Sequence, residues 1–211
     1  MSPILELLVV ASANVIGAGM AVPQAVRLVR TRRVDGVSRA WAAMSVTVNG
    51  WWIAYGIGAR SWGVLPVTVV SVAAYFVVVT GLHRFDPSSH RRTVRETVAP
   101  ALVLGLLPIV ALRIGGWPAV GVTLGTVYAV QLLPAVVTAY RSADVSGIAA
   151  GTWVLAWIEA ALWGVYGLPR ADVGMLSLAV TGTVMSSLVI ARLAWKRPRP
   201  VGGGALAPIG V

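Results

Sequence analysis

A shift of 111 positions lays this chain on itself without a gap. Pro23 then falls on Pro134, Arg30 on Arg141, Gly36 on Gly147, Trp52 on Trp163, Tyr55-Gly56 on Tyr166-Gly167 and Gly63 on Gly174. Apolar residues coincide by chance in any two greasy segments. Pro, Arg, Gly, Trp and Tyr that keep one offset over about forty positions do not. The register reads as an internal duplication, and a functional site is expected where the two related halves meet, as in transporters built from repeats.

The solvent of such a chain follows from its composition. With 57% hydrophobic and 11% charged residues among 211, it has too little polar surface to cover one water-soluble core. The net charge of +10 sits in short basic clusters between apolar runs instead of along one face, which argues against a nucleic-acid partner. The absence of cysteine excludes disulfides, thiol catalysis and thiolate metal sites. His83 and His90 share one basic connector, too few ligands for a metal centre, and no cofactor is implied. The first apolar run has no basic leader, carries only Glu6 as an early charge and continues to Val29, so it reads as a retained span and not a cleaved signal.

A bilayer core of about 30 Å takes roughly 20 helical residues. Seven stretches fit, near 4–29, 38–57, 62–82, 97–112, 117–140, 149–168 and 173–194, the fourth being short and interrupted by Pro100 and Pro108. None shows the period-two alternation of a membrane barrel. If the first connector is cytoplasmic, fourteen of the seventeen basic residues lie on that side and only Arg60, Arg113 and Arg170 lie outside. That bias places the N-terminus outside and the C-terminus in the cytoplasm of a cell membrane, expected to be a bacterial inner membrane. The expected organisation is an all-α membrane protein. A three-helix repeat (1–82) is followed by a basic connector and linker helix (83–116), a second three-helix repeat (117–194) and a disordered tail (195–211). Three-span units joined directly would be inverted, and the linker helix makes them parallel.

Pro23-Gln24, the connector Arg30-Thr31-Arg32-Arg33-Val34-Asp35-Gly36-Val37-Ser38 and the run Trp52-Ile53-Ala54-Tyr55-Gly56-Ile57 resemble a PQ-loop protein of the SWEET and SemiSWEET sugar-transporter group. The second half carries a degraded copy in Pro134-Ala135, Ser142–Ile148 and Trp163-Gly164-Val165-Tyr166-Gly167. The resemblance spans residues 4–194. It implies a cavity between two triple-helix units, lined by Trp52 and Trp163, with Pro23, Gln24 and Pro134 at hinges. Bacterial sugar-carrying relatives have an Asn sixteen residues after the Trp; Thr68 and Ala179 stand there in this chain, so the paired amide grip is missing.

The residues carry their own chemistry. A proline inside a helix removes one backbone hydrogen bond and concentrates bending, which fits Pro23 and Pro134 as hinges. Gln24 exposes an amide that needs a partner at membrane depth. Trp faces suit both sugar rings and cations, whereas Trp51, Trp62, Trp117 and Trp195 read as interface anchors. Glu159 near the middle of its span costs about 2.5 kcal/mol or more if ionised and must face protein or water. It shares a helix face with Trp163, as Asn49 does with Trp52. Trp52, Trp163, Asn49, Glu159 and Thr68 are therefore the expected solute-binding residues, in an asymmetric cavity because Glu159 overlays Val48. Gly121 and Gly125 permit close helix approach, within a unit or between copies, and a homo-oligomer stays open. The expected function is a secondary transporter moving a small polar solute, foremost a sugar, across the lipid bilayer by alternating access. A proton-coupled carrier of amino acids or other small metabolites and a non-transporting receptor or sorting factor stay as alternatives. An enzyme is not expected, since no nucleophile–base set, paired carboxylates or phosphate loop stands at membrane depth.

Overall fold

The computed structural model describes residues 1–34, 38–85, 90–142, 145 and 148–196. Among these the chain forms helices and no strand: α1 Pro3–Thr31, α2 Arg39–Gly58, α3 Leu65–Phe85, α4 His90–Arg141, α5 Ala150–Gly167 and α6 Val173–Lys196. Short 3-10 turns, Trp62–Val64 and Leu168–Arg170, precede α3 and α6. Gly36, Gly147 and the expected disordered tail from residue 197 onward lie outside the described residues.

Helix limits follow local chemistry. Ser2 Oγ accepts the Leu5 N–H at 3.3 Å to start α1, and Ser38 Oγ accepts the Trp41 N–H at 3.2 Å to start α2. α1 ends where Arg32 turns left-handed (φ 54°) and returns its N–H to the Leu28 carbonyl. α4 begins at His90, so part of the connector expected ahead of residue 97 is helical. Helical pattern and apolar composition both persist from Thr97 to Arg141, 45 residues, which would span about 68 Å if straight. That is more than twice a bilayer core of about 30 Å. The run is interrupted at Gly115 and Gly116, the latter at φ 64° and ψ −157°, a conformation open essentially to glycine alone. The two spans expected at 97–112 and 117–140 thus fall on one helix, as its arms on either side of this interruption, and the described residues form six helices where seven spans were expected.

Four stretches are long and apolar enough to cross a membrane: Pro3–Thr31, Trp62–Phe85, Thr97–Arg141 and Val173–Trp195. α2 and α5 have the length, 20 and 18 residues, but dilute their aliphatic residues with Trp, Tyr and Gly and with Asn49 and Glu159. The two helices that fall short are the ones that carry most of the expected binding residues.

Packing repeats with a fixed spacing. Asn14 bonds to Val67, and Leu28 lies against Gly81, so α1 and α3 run parallel with contacts 53 residues apart. The C-terminal arm of α4 meets α6 in the same way, through Gly121 against Gly174 and the Arg192 side chain on the Ala139 carbonyl, again 53 apart. At one end of the molecule a single core draws on every helix, through Ala13, Trp52, Val67, Leu124, Trp163 and Met175. At the other end, which carries Arg30, Arg39, Arg141 and Arg192, the cores are separate. One gathers Ala25, Leu28, Ala42, Val78 and Leu82 from α1 to α3, the other Val136, Ala139 and Val189 with Trp153 from α4 to α6.

Candidate functional site

α2 and α5 each place a Trp and a Tyr three residues apart on one buried face. Trp52 and Tyr55 meet edge to face with centroids 5.4 Å apart at 84°, and Trp163 and Tyr166 do so at 5.9 Å and 86°. All four rings are buried in the shared core, Trp163 being 2% exposed. The edge-to-face geometry sets a positive ring edge on a negative face, which locks each pair's orientation.

Above the tryptophans, toward the end away from the basic clusters, the tyrosines close the molecule. Tyr55 donates its hydroxyl to Asp172 Oδ1, and Ser61 Oγ donates to Asp172 Oδ2 at 2.7 Å. The Gly174 and Met175 N–H groups, at 3.1 and 3.0 Å, also reach Oδ1, so Asp172 caps the start of α6 with the same carboxylate. On the other side, Tyr166 Oη accepts the Gly63 N–H at 3.2 Å. The ring contacts are reciprocal under the 111-residue shift: Tyr55 lies against Gly174, where a Cβ would strike the ring, and Tyr166 lies against Gly63 in the same manner. Ser61 and Asp172, themselves 111 apart, meet directly. Such reciprocity, in which i touches j′ and j touches i′, is the mark of a two-fold relation. The match is not complete. Arg170 stacks 4.2 Å over the Tyr166 ring, donates to the Tyr166 carbonyl and pairs with Glu6, whereas Ala59 holds the corresponding position.

Glu159 and Trp163 come together as their spacing predicts, the indole N–H donating to Oε1 at 3.3 Å. Half-buried on α5, Glu159 faces α1, where a Cβ on Gly17 would collide with its carboxylate. The remaining expected binding residues turn their polar groups elsewhere. Asn49 Nδ2 donates to the Ser45 carbonyl of its own helix at 2.9 Å. Buried Thr68 donates to the Val64 and Leu65 carbonyls, both at 3.0 Å. No described hydrogen bond joins either to Trp52, Trp163 or Glu159. Pro23 and Pro134 are exposed inside α1 and α4, and Gln24 is half-buried. Pro134 stands where α4 leaves the shared core and enters the separate one, between Val127 and Val136, whereas Pro23 lies just inside the separate core of α1 to α3, between Ala21 and Ala25.

Tyr55, Tyr166, Asp172, Ser61 and Arg170 were not among the expected site residues, although Tyr55 and Tyr166 belong to the repeated landmarks. Asn14 was also missed. Its amide donates to the Val10 and Gly63 carbonyls at 2.7 and 2.9 Å and accepts the Val67 N–H at 2.6 Å, pinning the turn before α3 to α1. A crevice of about 710 Å³ between α2 and the N-terminal arm of α4 is lined by Ala40, Met44, Arg95 and Pro100, and one of about 340 Å³ between α5 and α6 by Val154, Trp157 and Ser187. Neither includes an expected binding residue. Their walls are largely apolar, with Arg95 in the first and Ser187 in the second as polar exceptions. Among the described residues no three His, Cys, Asp or Glu side chains come together as metal ligands. Compared with protein-family models, with curated proteins and with solved structures, the chain matches none.

Proposed function

We propose that the protein is a secondary transporter of PQ-loop type: seven membrane spans, two parallel three-helix units joined by the N-terminal arm of α4, and a small polar solute moved by rocking of the units. The observation that carries this reading is the contrast between the ends. One end is closed by contacts that the 111-residue shift relates to one another, over a core shared by all helices. At the basic end each unit keeps its own core. In the positive-inside orientation this corresponds to a state closed to the outside, with Trp52 and Trp163 beneath the closure and Pro23 and Pro134 as the bends about which units part. Sugar is the solute class that the resemblance implies.

Purified protein in vesicles is the test. Uptake of one labelled solute from a panel of sugars and amino acids, abolished by replacing either tryptophan in protein that still inserts and purifies as a monodisperse species, supports a carrier. Tight binding of a panel member without any flux would instead make the protein a receptor.

A further inference from the structure

Glu159 is the one expected site residue whose charge the closed end does not use. Among the described residues its polar partner is the Trp163 indole N–H, while an ionised carboxylate has room for about four donors. On the facing helix α1 stands Gly17, whose missing side chain leaves the space that the carboxylate fills. α3 and α4 contribute Tyr75 and Tyr128, both within electrostatic range of Glu159, and neither supplies a positive charge. No described ion pair reaches it; the one described pair, Arg170 with Glu6, lies at the closed end. Its counterpart by the 111-residue shift is Val48, so the site holds one carboxylate and not two.

The position of this group matters as much as its environment. α1 and α5 belong to different units in the proposed carrier, so the seam between Gly17 and Glu159 opens and closes as the units rock. When the seam is shut, a lone negative charge at membrane depth is opposed by desolvation and must be neutralised. When water enters, the charge is tolerated.

We propose that Glu159 makes transport electrogenic: each solute crosses with one positive charge held at Glu159, delivered as a proton beside a neutral solute or as the protonated amine of the solute itself. In the proton case an O–H bond forms on the carboxylate with a proton from water on one side. The bond breaks to water on the other side, and the carboxylate is restored. In the amine case the N–H groups of the solute occupy the open acceptor positions and leave with it. The inference rests on the carrier reading and deepens it.

Vesicles loaded with potassium and treated with valinomycin set the membrane potential, and labelled glucose, glucosamine and lysine are the probes. With an inside-negative potential of about 100 mV, the parent protein is expected to drive its solute toward about fifty-fold accumulation, the equivalent of one elementary charge. Glucose accumulation accompanied by alkalinisation of the medium assigns the charge to a proton. Accumulation of glucosamine or lysine without a pH change assigns it to the amine. Uptake in the parent that ignores potential overturns the proposal and leaves the carrier reading standing, whereas absence of uptake for every solute removes both. Glu159→Asp keeps the carboxylate and should keep the voltage response. In the proton case any glucose flux left in Glu159→Gln should have lost it, and residual glucose flux that still follows the potential would assign Glu159 to packing. In the amine case Glu159→Gln should lose uptake of glucosamine or lysine, and retained uptake would assign Glu159 to packing.

Discussion

The two ends of this helical bundle are built on opposite principles. The closed end is joined by directional polar contacts, Tyr55 and Ser61 on Asp172 and Gly63 on Tyr166, laid over one core that draws on every helix. The basic end is held by small apolar residues, largely alanine in α1 to α3, in two cores that stay apart. Hydrogen bonds with defined geometry close a contact in one register and release it in one step, whereas alanine-rich packing holds helices within a unit without joining units. The difference teaches that, among the described residues, one core joins all six helices at one end, while at the other α1 to α3 and α4 to α6 gather into cores of their own.

The sharpest way to break the comparison is topological. A cysteine at Arg113 and one at Arg141 are expected to label from opposite sides of the membrane, an all-or-none outcome, because the C-terminal arm of α4 lies between them. Labelling from the same side would remove the seven-span reading.

Next in size is loss of a shared ring. Trp163→Ala empties a fully packed site and should cost about 3–5 kcal/mol, while Trp153→Ala, at the edge of the small core at the basic end, should cost about 1 kcal/mol. Thermal melting in detergent separates the two, and equal losses would mean that the shared core is no stronger than the separate ones. The closure itself is probed with Asp172→Ala, which strips an acceptor from four donors, each worth about 1–3 kcal/mol when left unsatisfied. A cysteine at buried Val67 should then react about tenfold faster or more with a water-soluble reagent, since each 1.4 kcal/mol is about a factor of ten. An unchanged rate would show that the apolar core alone keeps this end shut.

The smallest effect tests the symmetry of the closure. Tyr55→Phe removes a hydrogen bond to a carboxylate and should cost about 1.5–3 kcal/mol, and Tyr166→Phe removes one from a backbone N–H and should cost about 1 kcal/mol. A larger loss for Tyr166→Phe in the same melting assay would invert the asymmetry argued from Asp172.

How much of this was legible in the sequence depends on distance along the chain. Runs of apolar residues located the helices only coarsely: six helices among the described residues stand where seven spans were expected, because helix continues through most of the stretch from His90 to Arg141 and is broken only at Gly115 and Gly116. Glu159 and Trp163, one helical turn apart, were readable as neighbours because helix geometry alone joins them. Thr68 and Asn49 were placed on the right helices, but short polar side chains satisfy themselves on carbonyls of the preceding turn, a choice that spacing does not reveal. The closure was illegible for a different reason. Ser61 and Asp172 sit in turns that look like ordinary span ends, and only folding brings positions 111 apart into contact.

Asp172 has a consequence for speed. Its carboxylate is held by the Gly174 and Met175 N–H groups at the first turn of α6, contacts local to its own helix that do not involve Tyr55 or Ser61. The acceptor therefore stands as a fixed post, already oriented, and the incoming hydroxyls find it without a rotamer search on its side. Preorganisation of this kind lowers the entropy lost on each closing. In the proposed carrier, closing would then wait on the approach of whole helices, and the same contact would re-form with the same geometry.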